Sequence, residues 1–593
     1  MYMDVMREAP ILPFSNFVSR GDIADKVDIA RPRSYIDREV YRLVRQTYRD
    51  RSSRLIPILG SAGTGKTHAY HSFKDKEREN RRKLEESAET EEIEVSQLEP
   101  VDWTIIYVPS PPASIRVLLH VYTCIIEEIG PELLDIVSER LVKEKWGGKK
   151  AGIFQKPKID EVIQKGIREF PGVFADCVKA LVTYQLDKSK KALAERWLLG
   201  EDLEPEELAE LGINSVVEED DVCLAMIKII TENLDRVLIL YFDELESPYR
   251  MLGESAEQKF LEILKRLYNE VKGLVIIIAV LKEIWPRILE IADQPLRSRM
   301  EPEQELKPFS LNDLKIFFSK TMETFWDENN LNPPLYPLFP LNEKLIEMIY
   351  EKTQGNPRNS IKLCRRFIDK VVMEEMSVEE LLEAGAEIVA TAKPPTPEME
   401  EELVDFSKPR ELIKKTIEEI LAEEEYIIDV NPSSVAGAAL KSIIKIGEEK
   451  GKKFKTQMEF KFKIGKRTQT LAAMIEYEGK KWGLEIPSIK TFDRSAGVAG
   501  YYAAKRIKDA IDEKAIDKAL LIVPSGSSGA KFEMILENNP AIHKFELTNE
   551  SGEKLIANAL TYPTKEGWEI AKLIFPDLGD YTPPEPQPTD ESN

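Results

Sequence analysis

Cysteine is scarce. Four residues in 593 (Cys124, Cys177, Cys223, Cys364) are scattered with no C-x-x-C pair, and there are only four histidines. A zinc site is therefore not expected, and the usage suits a reducing cytoplasm. Long apolar runs are also missing: none reaches membrane-spanning length, and Met1 to Asn16 has no basic-then-apolar pattern. The expectation is a cytoplasmic protein with no membrane partner. Positive charge is in deficit, with 83 Lys and Arg against 105 Asp and Glu and a net charge of −22. That balance argues against a general nucleic-acid coat, so any DNA contact must come from a local basic patch. No internal repeat is present. The remainder, 42% hydrophobic and 32% charged, describes a globular chain long enough for three or four domains.

The stretch that organises the chain is Leu55-Ile56-Pro57-Ile58-Leu59 followed by Gly60-Ser61-Ala62-Gly63-Thr64-Gly65-Lys66-Thr67. An apolar strand meets a glycine-rich turn, and Lys66-Thr67-His68 opens a helix, the context that G-x-x-x-x-G-K-T requires. Backbone N–H groups from Gly60 to His68 would cradle phosphates at a helix N-terminus. Lys66 would neutralise the outer phosphates and the Thr67 hydroxyl would ligate Mg²⁺, so ATP and Mg²⁺ are the expected cofactors. A second apolar strand, Val237 to Phe242, ends in Asp243-Glu244. Acids at the C-terminal end of a buried parallel strand lie where α/β folds bind ligands. Asp243 is the expected Mg²⁺ ligand and Glu244 the base that activates the attacking water.

Residues 1–34 form a lead-in ending in Arg31-Pro32-Arg33, and Ser34 is the expected cap of a helix over 35–48. The ATPase core spans 35–307, with a helical insert at about 130–219. The charged run Glu77 to Glu99 predicts a mobile extension, and Trp103 to Val108 is expected to lie beside the P-loop strand. Apolar patterns predict helices over 114–129, 222–233 and 256–271 and a strand over 274–280. Arg297 and Arg299 follow; either could reach a neighbour's γ-phosphate or make a surface ion pair. A helical lid over 308–392 carries Gly355-Asn356-Pro357-Arg358, with Arg358 placed to reach a phosphate. Pro394-Pro395-Thr396-Pro397 and the acids after it mark a linker, 393–426, with a connecting helix over 409–424. A second α/β domain follows over 427–575, then a disordered acidic tail over 576–593.

Taken together, Gly60 to Thr67, Asp243-Glu244, Arg299 and Gly355 to Arg358 resemble the AAA+ ATPases, most closely the origin-recognition and STAND-related branch. The resemblance covers about 30–385 and implies a three-layer αβα domain with a helical lid, ATP hydrolysis by Glu244 and Lys66, an Arg299 finger, Arg358 as sensor 2, and an oligomer or multi-protein complex. One position departs: the strand Ile276 to Val280 ends without the polar sensor 1 residue, leaving Lys282 or Glu283 to substitute. Within the insert, Arg196-Trp197-Leu198-Leu199-Gly200-Glu201 and Leu211-Gly212-Ile213 are similar to a signature of the ATPases of BREX phage-defence systems. That similarity implies action on DNA or within a defence complex.

By its helix, three strands, helix, strand order, 435–523 resembles the restriction-endonuclease (PD-(D/E)xK) fold. Such nucleases need an acid on the second strand and Glu-x-Lys on the third to hold Mg²⁺. Here the second strand offers Ala472-Ala473 and the third Glu485-Ile486-Pro487, with Lys490 three residues late and Glu476 and Glu478 near the turn. The expectation is a nuclease fold without nuclease chemistry. From Lys441 to Arg467 ten Lys and Arg face three Glu, and Lys461-Phe462-Lys463 puts cations on one strand face and an aromatic on the other. That face suits phosphate contacts that position without reading sequence. The leading expectation is an ATPase acting on DNA; a slow nucleotide switch that recruits protein partners is the alternative, and an active nuclease the third.

Overall fold

Branched apolar residues build the first sheet. In this computed structural model the described residues are 2–582, apart from 16–18, 20, 22–25, 90–100, 112, 131, 148–157, 173, 202, 218, 337, 376, 378–429, 466, 490–491 and 560–563. The Pro394 to Pro397 linker and the connecting helix predicted over 409–424 lie outside them. So do Lys466, Lys490 and the end of the tail.

The strands are β1 (Arg54–Gly60), β2 (Trp103–Pro109), β3 (Val237–Asp243), β4 (Leu274–Leu281) and the short β5 (Gln304–Glu305). Their order is β2-β3-β4-β1-β5, and every neighbouring pair is parallel. All C-terminal ends therefore share one edge, where Gly60 lies opposite Leu281 and Pro109 opposite Asp243. The expectation that Trp103 to Val108 adjoins the P-loop strand is corrected: β2 pairs with β3 at the sheet edge, while β4 and β5 occupy both sides of β1. Two strands, β3 and β4, thus stand between β1 and the strand that follows it in sequence.

The helix Lys66–Glu89 corrects the reading of Glu77 to Glu99 as a mobile extension, at least as far as Glu89. Glu77 is buried; its carboxylate accepts from the Ile105 N–H of β2 at 3.0 Å and pairs with Lys74 and Arg81. A charged run can be helical when one of its acids caps a strand backbone. On the same helix Ala69, Tyr70 and Phe73 face the sheet, where they join Ile36, Val40, Leu43 and Val44 of the helix Ser34–Asp50. Ser34 is not that helix's cap: Arg33 holds the cap position, without a side-chain hydrogen bond, and Ser34 is already helical.

Three helices of the predicted lid, Leu311–Glu328, Glu343–Thr353 and Pro357–Val372, start at Ser310, Asn342 and Asn356, each accepting a backbone N–H in its first turn. Met6, in the helix Tyr2–Glu8, and Phe14 pack into the lid's apolar cluster, so the lead-in is less irregular than its sequence implies.

By compactness the chain divides into two units. The first holds 1–109, 234–246 and 268–424; the second holds 110–233, 247–267 and 425–593. The insert thus belongs with the C-terminal domain. Its signature residues have structural work: Trp197 is fully buried and donates to Ser215 O at 2.9 Å, Tyr122 donates to Leu198 O at 2.5 Å, and Arg196 bridges Glu201 and Glu207, each at 2.8 Å. The helix Pro205–Leu211 starts at Glu204 with a capping box closed by Glu207 and Pro205 in its first turn.

The second sheet contains β6 (Phe454–Ile464), β7 (Arg467–Tyr477), β8 (Lys480–Glu485), β9 (Lys518–Pro524) and β10 (Ile542–Leu547), in the order β10-β9-β8-β7-β6. The first three form an antiparallel meander, and β9 and β10 then add in parallel. The helix Pro432–Glu449 packs on this sheet with Ala113 and Met251. Its Gly437 is required by that approach, since a Cβ there would lie 2.8 Å from Met251 Cγ. The predicted elements over 435–523 all appear; β10 and the helices Ala530–Asn538, Asn549–Asn558 and Lys565–Ile574 extend the domain beyond them. Part of the expected tail is ordered: Leu578 is buried, and Trp568 donates to Gly579 O at 2.9 Å.

Candidate functional site

The turn between β1 and its helix is shaped by glycine. Gly63 and Gly65 have φ of +75° and +97°, the left-handed region that a side chain disfavours. Thr64 Oγ1 donates to Ser61 O at 2.8 Å, closing the loop on itself, and Lys66 Nζ reaches back to Gly60 O at 3.2 Å. Lys66 is buried, so its ammonium is held at the mouth of the turn.

Behind the loop stands Asp243, 1% exposed at the end of β3. Its Oδ2 accepts from Thr67 Oγ1 at 2.6 Å and from Tyr107 Oη at 3.0 Å, and its Oδ1 from the Glu244 N–H at 3.0 Å. The sequence pairing of Thr67 with Asp243 is therefore a direct contact. Burial pushes the Asp243 carboxyl above its usual range, opposed by the Thr67 hydrogen bond, the charge of Lys66 and the Tyr107 hydroxyl. Tyr107 was not among the sequence candidates. Burial, then the charges of Asp243 and Glu244, raise its hydroxyl well above the ordinary tyrosine range, so it serves as a donor. An alternation analysis of β2 would have found it, since it stands two residues before Pro109, the register partner of Asp243. Tyr241, also unassigned in the sequence, donates to Lys66 O at 2.5 Å and ties the P-loop helix to β3. Glu244 adopts φ +52°, left-handed for a non-glycine residue, and is half-buried at the same edge. Backbone strain of this kind gathers at functional sites.

The lid reaches the loop. Asn356 Nδ2 donates to Ala62 O at 2.8 Å, and the Arg358 N–H donates to Gly63 O at 3.3 Å. A Cβ on Gly63 would come within 2.7 Å of Arg358 Cβ, so the Arg358 stem lies along the turn. On the other flank, His68 Nε2 lies 2.9 Å from Asp28 Oδ1, and Arg33 pairs with Asp28 Oδ2 at 2.5 Å while donating to Ser72 of the P-loop helix. Burial disfavours the Asp28 charge, yet the His68 and Arg33 hydrogen bonds outweigh it and hold the carboxyl well below its usual range. Arg297 is exposed, whereas Arg299 is half-buried with its guanidinium 5.8 Å from the Tyr268 ring centroid. Among the described residues, no hydrogen bond or ion pair joins either arginine to Thr67 or Asp243.

After β4 the chain presents Lys282 and Glu283. The Lys282 N–H donates to Gly60 O at 3.4 Å and its ammonium lies 3.6 Å from Glu305. Glu283, 6% exposed, accepts from Ser61 Oγ at 2.6 Å.

In the second sheet Glu485 is fully buried. Its Oε1 accepts from Arg116 Nη2 at 2.8 Å and lies 3.5 Å from Arg506 Nη2; its Oε2 accepts the Ala472 N–H at 3.1 Å. That N–H is diverted from the ladder where Glu459 turns to φ +46°, although the register holds on both sides at Met458–Ala473 and Phe460–Leu471. Glu459 in turn accepts the Arg116 N–H at 2.7 Å and pairs with Lys259. Arg116 itself has φ +52°. Sequence reasoning found Glu485 but not Arg116, because their separation in the chain leaves no local signal. Glu476 is paired across the strands with Lys455 and Lys481, and Glu478 lies in the turn at φ +49°. On β6, Lys455, Lys461 and Lys463 are exposed and Phe462 is buried, the alternation expected of an edge strand.

No protein-family model matches the chain, and no curated protein matches it. Among solved structures it is similar to a Walker-type ATPase of Pyrococcus abyssi, with 16% identity over 72% of this chain and 81% of that one, at a TM-score of 0.28. The Aeropyrum pernix ORC2 protein in its ADPNP–ADP complexes gives 10% identity, coverage of 91% and 96%, and a TM-score of 0.32. The Aeropyrum pernix ORC1 protein in complex with DNA gives 14% identity, coverage of 77% and 92%, and a TM-score of 0.31.

Proposed function

We propose that the chain binds ATP with Mg²⁺ at the P-loop and hydrolyses it, as an AAA+-type ATPase acting on DNA or within a DNA-associated complex. The observation that carries this reading is the contact of Thr67 with Asp243, with Lys66 at the mouth of the same turn. A hydroxyl and a carboxylate sharing a hydrogen bond form the donor set that Mg²⁺ takes in P-loop NTPases, alongside phosphate oxygens and water. The residues therefore fit the metal. When bound, Mg²⁺ neutralises charge on the outer phosphates. Lys66 and the backbone N–H groups of 63–67 hold and orient the phosphates, and Glu244 takes the proton of the attacking water. Asn356 and Arg358, anchored on Ala62 and Gly63, let the lid respond to what the loop holds. Arg299 of one copy serving a neighbour, in a homo-oligomer, belongs to the same reading.

DNA is the proposed partner of the basic edge strand, through Lys455, Lys461 and Lys463 and the rest of Lys441 to Arg467. Glu485 carries two arginines rather than a lysine two residues on, which supports binding without cutting. The insert's resemblance to the BREX signature supports a place in a phage-defence complex, and the sparse, scattered cysteines suit a cytoplasmic setting. The second reading, a slow switch that recruits protein partners, is favoured by one observation: β4 ends without a polar residue, and only Lys282 and Glu283 come after it.

The test is turnover with and without duplex DNA. Lys66→Ala is expected to lose nucleotide binding. Glu244→Gln should retain ATP while turnover falls by about 10²–10⁴-fold. Stimulation by DNA favours the motor, and its absence with tight nucleotide binding favours the switch. Undiminished turnover by Glu244→Gln would remove that residue from the mechanism.

A further inference from the structure

Glu283 is a buried carboxylate with half of its hydrogen bonding unmet. Oε1 accepts from Ser61 Oγ at 2.6 Å, and Oε2 has no hydrogen-bond partner among the described residues although the side chain is only 6% exposed. A buried, incompletely paired acid is costly to keep, and its persistence beside a phosphate loop needs a reason. Its position is fixed by the sheet. Gly60 is in register with Leu281, and the Lys282 N–H bonds Gly60 O, so Glu283 lies against the first residues of the P-loop. The Lys66 ammonium, the group that meets the outer phosphates, reaches that same end of the loop at Gly60 O. The negative charge of Glu283 therefore stands on the outer-phosphate side, tied to the loop through the hydroxyl of Ser61.

We propose that Glu283 is a charge filter on the P-loop, one that weakens binding of a nucleoside triphosphate relative to the diphosphate. This rests on the nucleotide reading above and adds to it the specificity of the site. Two effects act together. The Ser61 hydroxyl is spent on a carboxylate instead of being offered to a phosphate. The fixed negative charge then repels the ligand that carries the extra phosphate, in a buried setting where water screens it poorly. A diphosphate, held farther along the loop by the N–H groups of 63–67, meets less of that repulsion. The resting state of such a protein is the diphosphate complex, and triphosphate loading becomes the step a partner can promote.

The experiment measures ADP and ATP affinities by titration calorimetry, with Mg²⁺ and with EDTA, for the full chain and three variants. Wild type is expected to bind ADP at least as tightly as ATP. Glu283→Gln keeps the shape and the acceptor for Ser61 but removes the charge; it should tighten ATP by about tenfold and leave ADP within about twofold. Glu283→Ser, smaller and neutral, should shift the ratio the same way, which covers a folding defect peculiar to Gln. Glu283→Asp keeps the charge and should keep the wild-type ratio. An unchanged ATP-to-ADP ratio in both neutral variants, with Lys66→Ala still abolishing binding of both nucleotides, overturns the filter and leaves the nucleotide reading standing. Failure of wild type to bind either nucleotide overturns both.

Discussion

The two sheets each end in a fully buried acid, and they treat it in opposite ways. Asp243 is met by two hydroxyls and a backbone N–H, all neutral donors. Glu485 is met by two guanidinium groups and a backbone N–H. A carboxylate met by hydroxyls, with only the nearby charge of Lys66 to offset its burial, has no cation bonded to it and suits Mg²⁺. One held by two arginines already has its cations, supplied by the chain itself. The lesson is that an acid at a strand end is not a site until its partners are known. In the first sheet the partners leave a charge to be used; in the second they consume it.

Exchanging the roles of the two acids gives the sharpest test of that comparison. Asp243→Ala should lower ATP turnover by about a hundredfold or more, as for loss of a preorganised electrostatic group, with little loss of stability. Glu485→Ala should leave turnover within about twofold and cost about 3–5 kcal/mol in urea unfolding, because the buried Arg506 and the largely covered Arg116 lose their shared carboxylate. Metal-dependent DNA cleavage by the wild-type chain that vanishes in Glu485→Ala would erase the distinction.

A smaller effect is expected from the other side of the pair. Arg116→Met removes one guanidinium while Arg506 still faces Glu485, so the cost should be about 1.5–3 kcal/mol, read as a lower urea midpoint at unchanged slope. If Arg116→Met instead creates a divalent-cation site detectable by calorimetry, the arginine has been standing in for a metal.

Next in size is the salt dependence of DNA binding. Replacing Lys461, Lys463 and Lys466 by Ala should weaken binding and lower the slope of log affinity against log salt by about 0.9 for each phosphate no longer neutralised, with nucleotide affinity unchanged. No DNA affinity in the wild-type chain would reassign the edge strand to protein docking. The smallest effect concerns assembly. If Arg299 serves a neighbour, mixing Arg299→Ala with Glu244→Gln restores part of the turnover at mixed interfaces; Arg299 already rests on Tyr268, and a monomer with full activity would leave it to that ring.

Much of the candidate site was legible in the sequence. Gly60 to Thr67 and Asp243-Glu244 are short motifs whose spacing encodes their geometry, because a strand, a tight turn and a helix start constrain every residue between them. Asn356 and Arg358 were legible as a motif, but their hydrogen bonds to Ala62 and Gly63 were not, since those depend on how the lid folds back. Tyr107 and Tyr241 escaped for a related reason, and Glu283 was legible only as a stand-in for a missing polar residue: their hydrogen bonds to Asp243, Lys66 and Ser61 join segments far apart in the chain.

Local order determined most of the elements: the periodicity of Val40 to Val44, the branched runs of β3 and β4, and the alternation of Lys461 to Lys463 each specify a helix or strand within a few residues. Helix ends yielded less, as at Ser34, because a cap depends on one hydrogen bond. Strand order, the continuation of the charged helix through Glu89, the grouping of the insert with the C-terminal domain, and the arginines on Glu485 were decided only in three dimensions. Each rests on pairings between residues far apart in the chain, such as Glu77 with Ile105 or Arg116 with Glu485. Composition and periodicity describe what a segment can do with its neighbours in sequence; which distant group satisfies a buried charge or N–H is settled by packing, where every such group must find a partner.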